Sequence, residues 1–507
     1  MVEMTRRSLF FFYFESRCQR LFTAASPVEL YVAWGNRWPE APFIRHLVLG
    51  NQETLLINTP EAHKEVFQTH CYDFVKPEFL FRVAGEVVGR GLLFSEGAEH
   101  KRQRRLLTGV FSVPSLKRSL PLFQDKAGAL TGLLQTCLDA EGRGFIEAVE
   151  TFSKATIDVV GVTLLGVELN HLTSVDKKME NFLKSYHRAL EQPPLGALIS
   201  FINGYVSIRR FLPIEANLGF IQANREIRKM MRACIHQRMQ ELEEATRNKA
   251  VYASAYSTVS GGRDILTMML EDRKTFKGTD DELTIDEITE QLLTFMAAGH
   301  ETTAGMLTWA SFVMATRPDV QDKLRDEMTV LLKDTPNPGY NDIERLHYLN
   351  NFSRELLRVY CPAILVCREA AKDLTICGQI IPKGTPLLAV PAVSSLPQAS
   401  WGPDANEFKP ERWDKLQGLA AAAAASPYAY GAFSHGPRVC IGKQYALTEF
   451  KVLLLEMLPK FRFGTSPQIE GLGPGGMPPL LNPTLTFRPK GGLMVGVERV
   501  QERVRAG

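Results

Sequence analysis

The sequence predicts a mainly α protein with a minor β lobe. Apolar side chains recur with a 3.6-residue period over 145–170, 220–246, 284–315 and 318–333, the signature of helices that bury one face. Near the start the pattern shortens. Phe43-Ile44 and Thr54-Leu-Leu-Ile57, broken by Gly50 and Asn51, read as a hairpin within a lobe from Tyr31 to Asn58. No internal repeat is present, and the motifs that carry chemistry extend from His100 to Arg488. Although 507 residues could hold about three average domains, motifs so widely spread that must act together need a single one. The expected division is an N-terminal segment over 1–29 and one domain over 30–507.

Composition narrows the function before any motif does. A net charge of +3 is too small to argue for nucleic acid, and no Lys/Arg run interleaves with aromatics as a single-strand binder would require. Cys18, Cys71, Cys137, Cys234, Cys361, Cys367, Cys377 and Cys440 show no C-x-x-C pair or regular spacing, so they read as scattered reduced thiols of an intracellular protein. No histidine joins them in finger-like spacing, which argues against zinc. The apolar run Ser8-Leu-Phe-Phe-Phe-Tyr-Phe14 is closed by Glu15, Arg17 and Arg20, far short of the ~20 residues of a spanning helix. It also lacks the cleavage pattern of a signal peptide. Residues 9–14 are therefore expected to make at most a peripheral membrane contact, as an aromatic wedge.

Along the chain, Gly97-Ala-Glu-His100-Lys-Arg-Gln-Arg104-Arg105 is a basic cluster that would by default be a solvated helix face. Ser254 to Gly262 reads as a surface loop, Gly339 to Asn341 as a break, and Ala420 to Ala425 as an exposed low-complexity insertion. Thr284-Ile-Asp-Glu287 has the capping-box spacing, followed by Ile285, Ile288, Leu292, Phe295 and Met296 on one face. In the middle of that helix stands Ala297-Ala-Gly-His-Glu301-Thr302-Thr303. Glycine costs a helix about 1 kcal/mol relative to alanine, so small residues here suggest something bulky against the backbone. Threonine can bond back to an earlier carbonyl, loosening the helix and leaving room for water. His300 reads as a packed histidine. Further on, Glu355 and Arg358 share a helix face, Pro410-Glu-Arg-Trp413 follows, and Phe487 to Met494 reads as a hairpin.

The most specific stretch is Phe433-Ser-His-Gly436-Pro-Arg438-Val-Cys440-Ile-Gly442. Gly436 and Gly442 let the backbone turn so that amides can point at the sulfur. Arg438 and the positive end of a helix over Lys443 to Leu458 add charge, so a lowered thiol pKa is expected. Taken alone, Cys440 would be a small buried hydrophobe in a glycine turn. The spacing F-x-x-G-x-R-x-C-x-G, however, resembles the haem-ligand loop of the cytochrome P-450 family, the haem-thiolate monooxygenases, while Glu99-His-Lys-Arg-Gln-Arg-Arg105 with Ala298-Gly-His-Glu-Thr-Thr303 resembles its filamentous-fungal members, which implies secondary metabolism. The five fixed positions of the loop would match by chance in roughly one chain of this size in 10⁴.

That resemblance implies a fold with a long central helix over haem and the cysteine-ligand loop beneath. It implies haem b with Cys440 as axial thiolate, Phe433, Gly436 and Gly442 shaping the loop, and Ala298 against the cofactor. Ala-Gly-His-Glu-Thr is similar to the family's A-G-x-[D/E]-T pattern, which makes Thr302 the oxygen-side hydroxyl and Glu301 the proton-relay acid. Arg104, Arg368 and Arg438 become propionate partners, with His100 in place of the usual tryptophan; Glu355, Arg358 and Arg412 become a buried support for the loop. Cys361 departs from the family by replacing a usual proline. The implied reaction inserts one atom of O2 into a lipophilic molecule, with electrons from an NADPH-dependent reductase, at the endoplasmic-reticulum surface if the cell is eukaryotic. Expected pocket walls are the 77–94 loop, Ala298 and Ile364-Leu-Val366. The rival readings are a haem-thiolate isomerase or dehydratase, which needs no reductase, and a non-catalytic haem sensor.

Overall fold

The structure is a computed structural model that describes residues 26, 28–48, 52–173, 184–186, 188–189, 192–247, 264–414, 426–473, 475–481 and 486–500. The aromatic wedge at 9–14, the loop Ser254 to Gly262 and the run Ala420 to Ala425 lie outside the described residues.

The longer helices, in chain order, are α1 (Glu29–Arg37), α2 (Glu78–Val88), α3 (Gly97–Thr108), α4 (Val113–Thr136), α5 (Ala148–Val160), α6 (Pro194–Tyr205), α7 (Glu215–Arg247), α8 (Ile265–Thr275), α9 (Ile285–Thr316), α10 (Pro318–Asp334), α11 (His347–Val359) and α12 (Lys443–Met457). The strands are β1 (Phe43–Leu47), β2 (Glu53–Ile57), β3 (Phe74–Val75), β4 (Arg143–Glu147), β5 (Val366–Ala370), β6 (Leu374–Ile376), β7 (Gln379–Ile381), β8 (Pro386–Ala389), β9 (Phe461–Gly464) and β10 (Met494–Arg499). They form one sheet in the order β1-β2-β8-β5-β3, a second in the order β4-β10-β9, and the hairpin β6-β7.

The expected N-terminal hairpin is present, with Phe43 opposite Ile57 and Leu47 opposite Glu53. Tyr31 belongs instead to helix α1, whose Glu29 and Arg37 lie at the ends that favour their charges. The 77–94 segment, expected as a loop, is largely helix α2, and the helical reading over 145–170 begins in strand β4. The expected hairpin at Phe487 to Met494 is also corrected. Gly491 and Gly492 turn with positive φ, and β10 then pairs with β4 and β9 rather than with its own preceding residues.

Helix α9 starts at a full capping box: the Glu287 amide donates to Thr284 Oγ1 at 3.1 Å, and the Thr284 amide donates to Glu287 at 2.7 Å. Two orphan donors are thereby satisfied. The helix runs 32 residues through the core and packs against α5, α7 and α12. Its buried Ile288, Leu292, Met296 and Trp309 join Phe123 of α4, Phe152 of α5 and Phe450 of α12 in one apolar cluster.

Beside that core lies a fully buried ion network. Arg358 grips Glu355 through two bonds of 2.8 Å, and the side chains of both are closed to solvent. Glu355 also accepts from the Lys409 amide at 2.9 Å, Trp413 Nε1 at 3.1 Å and Arg412 Nε at 3.3 Å. Arg358 spends its remaining donors on the carbonyls of Ser395, Ala405 and Glu407. Helix α11 is thus tied to the 395–413 segment. Trp413 in turn meets Tyr430 edge-on at 5.5 Å, at the entrance to the cysteine loop. Removing one partner of such a pair strands a buried charge, at a cost of about 3–5 kcal/mol. Glu355→Ala should therefore lower the thermal midpoint severely, whereas truncating the exposed carboxylate of the Arg45–Glu53 pair should barely move it. Equal midpoints for the two variants would refute the structural role.

Candidate functional site

Cys440 stands three residues ahead of α12. Its amide donates to the Phe433 carbonyl at 2.9 Å, closing a loop in which Ser434 (φ 59°) and Gly436 (φ 66°) take left-handed backbone. Only glycine suits position 436, because a Cβ there would lie 2.0 Å from the Phe67 carbonyl oxygen. Gly442 has φ −84° and needs no such freedom; a Cβ there would stand 4.0 Å from Cys440 Sγ. The Cys440 residue is solvent-accessible, yet protein closes round it, and burial pushes the thiol up from its usual value. The Gly442 amide, Arg104 and Lys443 pull the other way and lose. The expected lowered pKa is therefore corrected for the chain by itself: desolvation outweighs one amide and two cations. Metal coordination reverses this balance, since a coordinating thiol is deprotonated outright.

Helix α9 opens in its middle. Ala298 is exposed and Gly299, Glu301 and Thr302 are half-buried, between buried Met296 and Thr303. A core helix that shows small residues to open space lines a hollow. Thr302 Oγ1 donates to the Ala298 carbonyl at 2.7 Å, the back-bonding expected from the sequence. Glu301 accepts from Thr486 Oγ1 at 2.9 Å and lies 3.5 Å from Arg488, so its carboxylate is held by the C-terminal segment. His300 is buried with its ring edge-on to Tyr186 at 5.8 Å.

Aromatic rings set the spacing between α9 and the helix behind Cys440. Phe111 packs 5.0 Å from Phe295 of α9 and 6.3 Å from Tyr445 of α12. One turn on, Glu449 is fully buried beside Thr303 without a well-formed hydrogen bond, and burial pushes its carboxyl well above the usual range.

The third component is a surplus of buried positive charge. Arg368 is 5% exposed, lies 5.3 Å above the Phe67 ring and donates to the Cys367 carbonyl at 2.8 Å. Arg438 donates to the Ser95 carbonyl at 3.0 Å and pairs with Glu96, while its Nε is buried with no hydrogen-bond partner. Lys76 reaches the same Glu96 at 3.4 Å. Arg104 donates to the carbonyl of Val439, the residue before Cys440, at 2.6 Å. One carboxylate thus pairs with two of these four cations, and the other two meet only carbonyls. Burial first, and the neighbouring cations second, hold Arg368 down to about 10 and Lys76 down to about 7. The same causes push His100 down to about 3, so its ring is neutral where Nδ1 meets the Tyr72 hydroxyl at 3.2 Å.

An accessible thiol at Cys440, an opening in the middle of α9, and buried guanidinium forks short of carboxylates fit a flat dianionic metal cofactor such as haem. The sequence reading named Arg104, Arg368 and Arg438 but missed Lys76, Tyr72 and Glu96. Nothing in the spacing ties residue 76 or 96 to 438. Glu449 was legible in principle, because an acid flanked by Tyr445, Val452 and Leu453 on one apolar helix must face the core.

A family model described as cytochrome P-450 matches residues 43–485. The chain is 31% identical to the cytochrome P-450 monooxygenase sphH of Aspergillus fumigatus, over 86% of this chain and 79% of that protein. It is 31% identical to the cytochrome P-450 monooxygenase FUM15 of Gibberella moniliformis, over 81% and 74%. With the ganoderic acid synthetase of Ganoderma lucidum the identity is 30%, over 74% and 73%.

A carboxyl whose folded-state pKa is raised contributes stability that is complete below the unfolded-state value and is lost as pH climbs toward the folded one. Glu449→Gln keeps the shape and removes the titration. Its thermal midpoint, measured relative to the parent, should rise steadily from pH 5 to pH 8. A pH-independent difference would mean that Glu449 is ionised in the fold.

Proposed function

The chain belongs to the cytochrome P-450 family, a class of haem-thiolate enzymes, and from that premise we propose that Cys440 holds the haem iron of a monooxygenase acting on lipophilic small molecules. Arg368, Arg438 and Lys76, with Arg104 behind the loop, meet the two propionates; neutral His100 offers a hydrogen bond rather than a charge. Phe433, Gly436 and Gly442 shape the loop around the sulfur, and Ala298 leaves the cofactor room. When bound, haem supplies oxygen activation, with thiolate donation favouring O–O cleavage.

What the chain contributes is position and protons. Thr302 presents a hydroxyl at the open middle of α9, anchored on the Ala298 carbonyl. Glu301 is the relay acid, and to reach Thr302 its carboxylate must leave Thr486 and Arg488. Proton delivery is then gated by that exchange of partners. The observation that carries the reading is the accessible Cys440 beside a buried cation cluster with too few carboxylates. The Glu301-Thr302 pair favours oxygen chemistry over an isomerase, a dehydratase or a sensor, and the relatives cited above include two named as monooxygenases. The name of the Ganoderma relative, a ganoderic acid synthetase, supports a place in secondary metabolism.

An NADPH-dependent reductase supplies electrons. The enzyme works as one domain over 30–507, at a membrane surface such as that of the endoplasmic reticulum. Among the described residues no helix is long and apolar enough to cross a membrane. Leu195, Leu198, Phe201, Tyr205, Val206 and Phe211 are exposed along and just after α6, which supports a peripheral contact instead.

Haem-loaded protein reduced under carbon monoxide should show the strongly red-shifted Soret band of thiolate ligation, and Cys440→Ser should lose it. Thr302→Ala should keep the band while more NADPH is consumed per product. Unchanged coupling in that variant would remove Thr302 from the relay.

A further inference from the structure

An open cleft of about 470 Å³ lies among α2, the turn after α6, α7 and the start of α9. Five arginines line it against two carboxylates, Glu86 and Glu290. Glu290 is already engaged, by Arg228 and by the Arg90 amide at 2.6 Å. Arg82 answers Glu78 at 3.3 Å. Arg90, Arg209 and Arg210 are left to share Glu86, which among these three Arg209 alone approaches, at 3.5 Å. The Arg90 guanidinium rests on the Phe81 ring at 4.3 Å and that of Arg210 on Phe211 at 4.7 Å, neither with a carboxylate partner among the described residues.

Arg209 gives the cleft a built floor. The residue is 5% exposed, its guanidinium lies 3.8 Å above Phe220, and it is steered by Ser200 Oγ at 2.6 Å and Asn217 Oδ1 at 3.2 Å. Its Nε is buried without a hydrogen bond and faces Glu86 Oε2 at 3.5 Å. A desolvated cation held in one orientation, with two exposed ones at the rim, is suited to a planar anion. The flank is apolar, because Phe79 packs on Phe201 and Tyr205, 5.8 and 4.7 Å away.

The cleft also has a fixed relation to the reaction site. The strap that carries Arg90 is pinned on α9 by Leu92 N to Gln291 Oε1 at 2.8 Å and Thr294 Oγ1 to the Val88 carbonyl at 2.8 Å. On that same helix Ala298 and Thr302 lie further along from Glu290 by about 12 and 18 Å, at 1.5 Å per residue. We propose that the cleft binds the anionic end, a carboxylate or a group of like charge and shape, of a lipophilic substrate whose body extends along α9 toward Ala298 and Thr302. This rests on the monooxygenase reading above. Arg90 and Arg210 then determine specificity, Arg209 positions the anion, and oxidation falls on a carbon remote from the charged end.

Dodecanoate and dodecan-1-ol, equal in chain length and unlike in charge, test this on the full haem-loaded chain. Affinity is read by calorimetry and, independently, by the Soret shift. Dodecanoate should bind at least ten times more tightly. In Arg90→Gln/Arg210→Gln it should fall to the affinity of the alcohol, with the alcohol's affinity, the thermal midpoint and the carbon monoxide band unchanged. Should the double variant fold poorly, the acid preference of the parent must still shrink as salt is raised. Equal binding of the two probes, no binding of either, or a preference that survives the substitutions overturns the proposal. If the substitutions abolish binding to phosphatidylserine vesicles and leave dodecanoate untouched, the cleft reads a lipid headgroup and the substrate subsite is refuted. Absence of any acid preference in the parent chain, with a normal carbon monoxide band, defeats the cleft alone; a missing band with the parent's preference intact defeats the haem assignment alone.

Discussion

A buried charge must be answered by another, and this chain meets that requirement in two opposite ways. Around Glu355 the account is complete: Arg358 takes both carboxylate oxygens, Arg412, Trp413 and the Lys409 amide take what remains, and carbonyls absorb the other guanidinium donors. Desolvation is then offset by geometry, which is the condition under which a buried pair is retained. Around Arg368 and Arg438 the requirement is unmet. Glu96 serves both Arg438 and Lys76, and Arg438 Nε has no acceptor. The satisfied network fixes helix α11 and the residues leading to the cysteine loop. The unsatisfied one lacks the carboxylates that a dianionic cofactor would bring.

The middle of α9 obeys a related constraint. A helix buried along most of its length opens at Ala298, whose small side chain leaves room for a flat group against the backbone. Thr302 satisfies its own hydroxyl locally, on the Ala298 carbonyl, so it can face the hollow with its proton committed and its lone pairs available. Glu301, one residue on the N-terminal side, points to Thr486 and Arg488 instead. Adjacent helical residues do not share a face. The acid and the hydroxyl therefore belong to different surroundings at rest, and a relay between them requires side-chain motion.

Local signals made much of this readable. The capping box at Thr284, the period of α9 and the helix after Gly442 each depend on residues within one or two turns, and each appears where the sequence places it. Gly436 was legible as a necessary glycine, although its reason is the Phe67 carbonyl and not the sulfur. What the sequence concealed is long-range. Lys76 and Glu96 join Arg438 across more than 300 residues, and no periodicity encodes that meeting. The thiol of Cys440 was misjudged for the same reason. Nearby charges can be read from neighbours in sequence, whereas desolvation is a property of everything that packs around the sulfur.

The two arginine groups now define a direction. Near Cys440, Arg368 and Arg438 are deeply buried and face a site suited to a cofactor's carboxylates; at the cleft only Arg209 is buried, and Arg90 and Arg210 remain exposed. Exposed cations are screened by solvent and exchange an anion readily, and buried ones hold a group that arrives once and stays. A permanent ligand belongs with the first set and an exchanging one with the second. Helix α9 connects them: its N-terminal turns, at Glu290, Gln291 and Thr294, carry the strap that bears Arg90, and its middle carries the hydroxyl and acid. Because one rigid element sets both ends, the distance between charge and reacting carbon is a property of the fold, and side-chain changes at the cleft alter which molecules are accepted more readily than where they are oxidised.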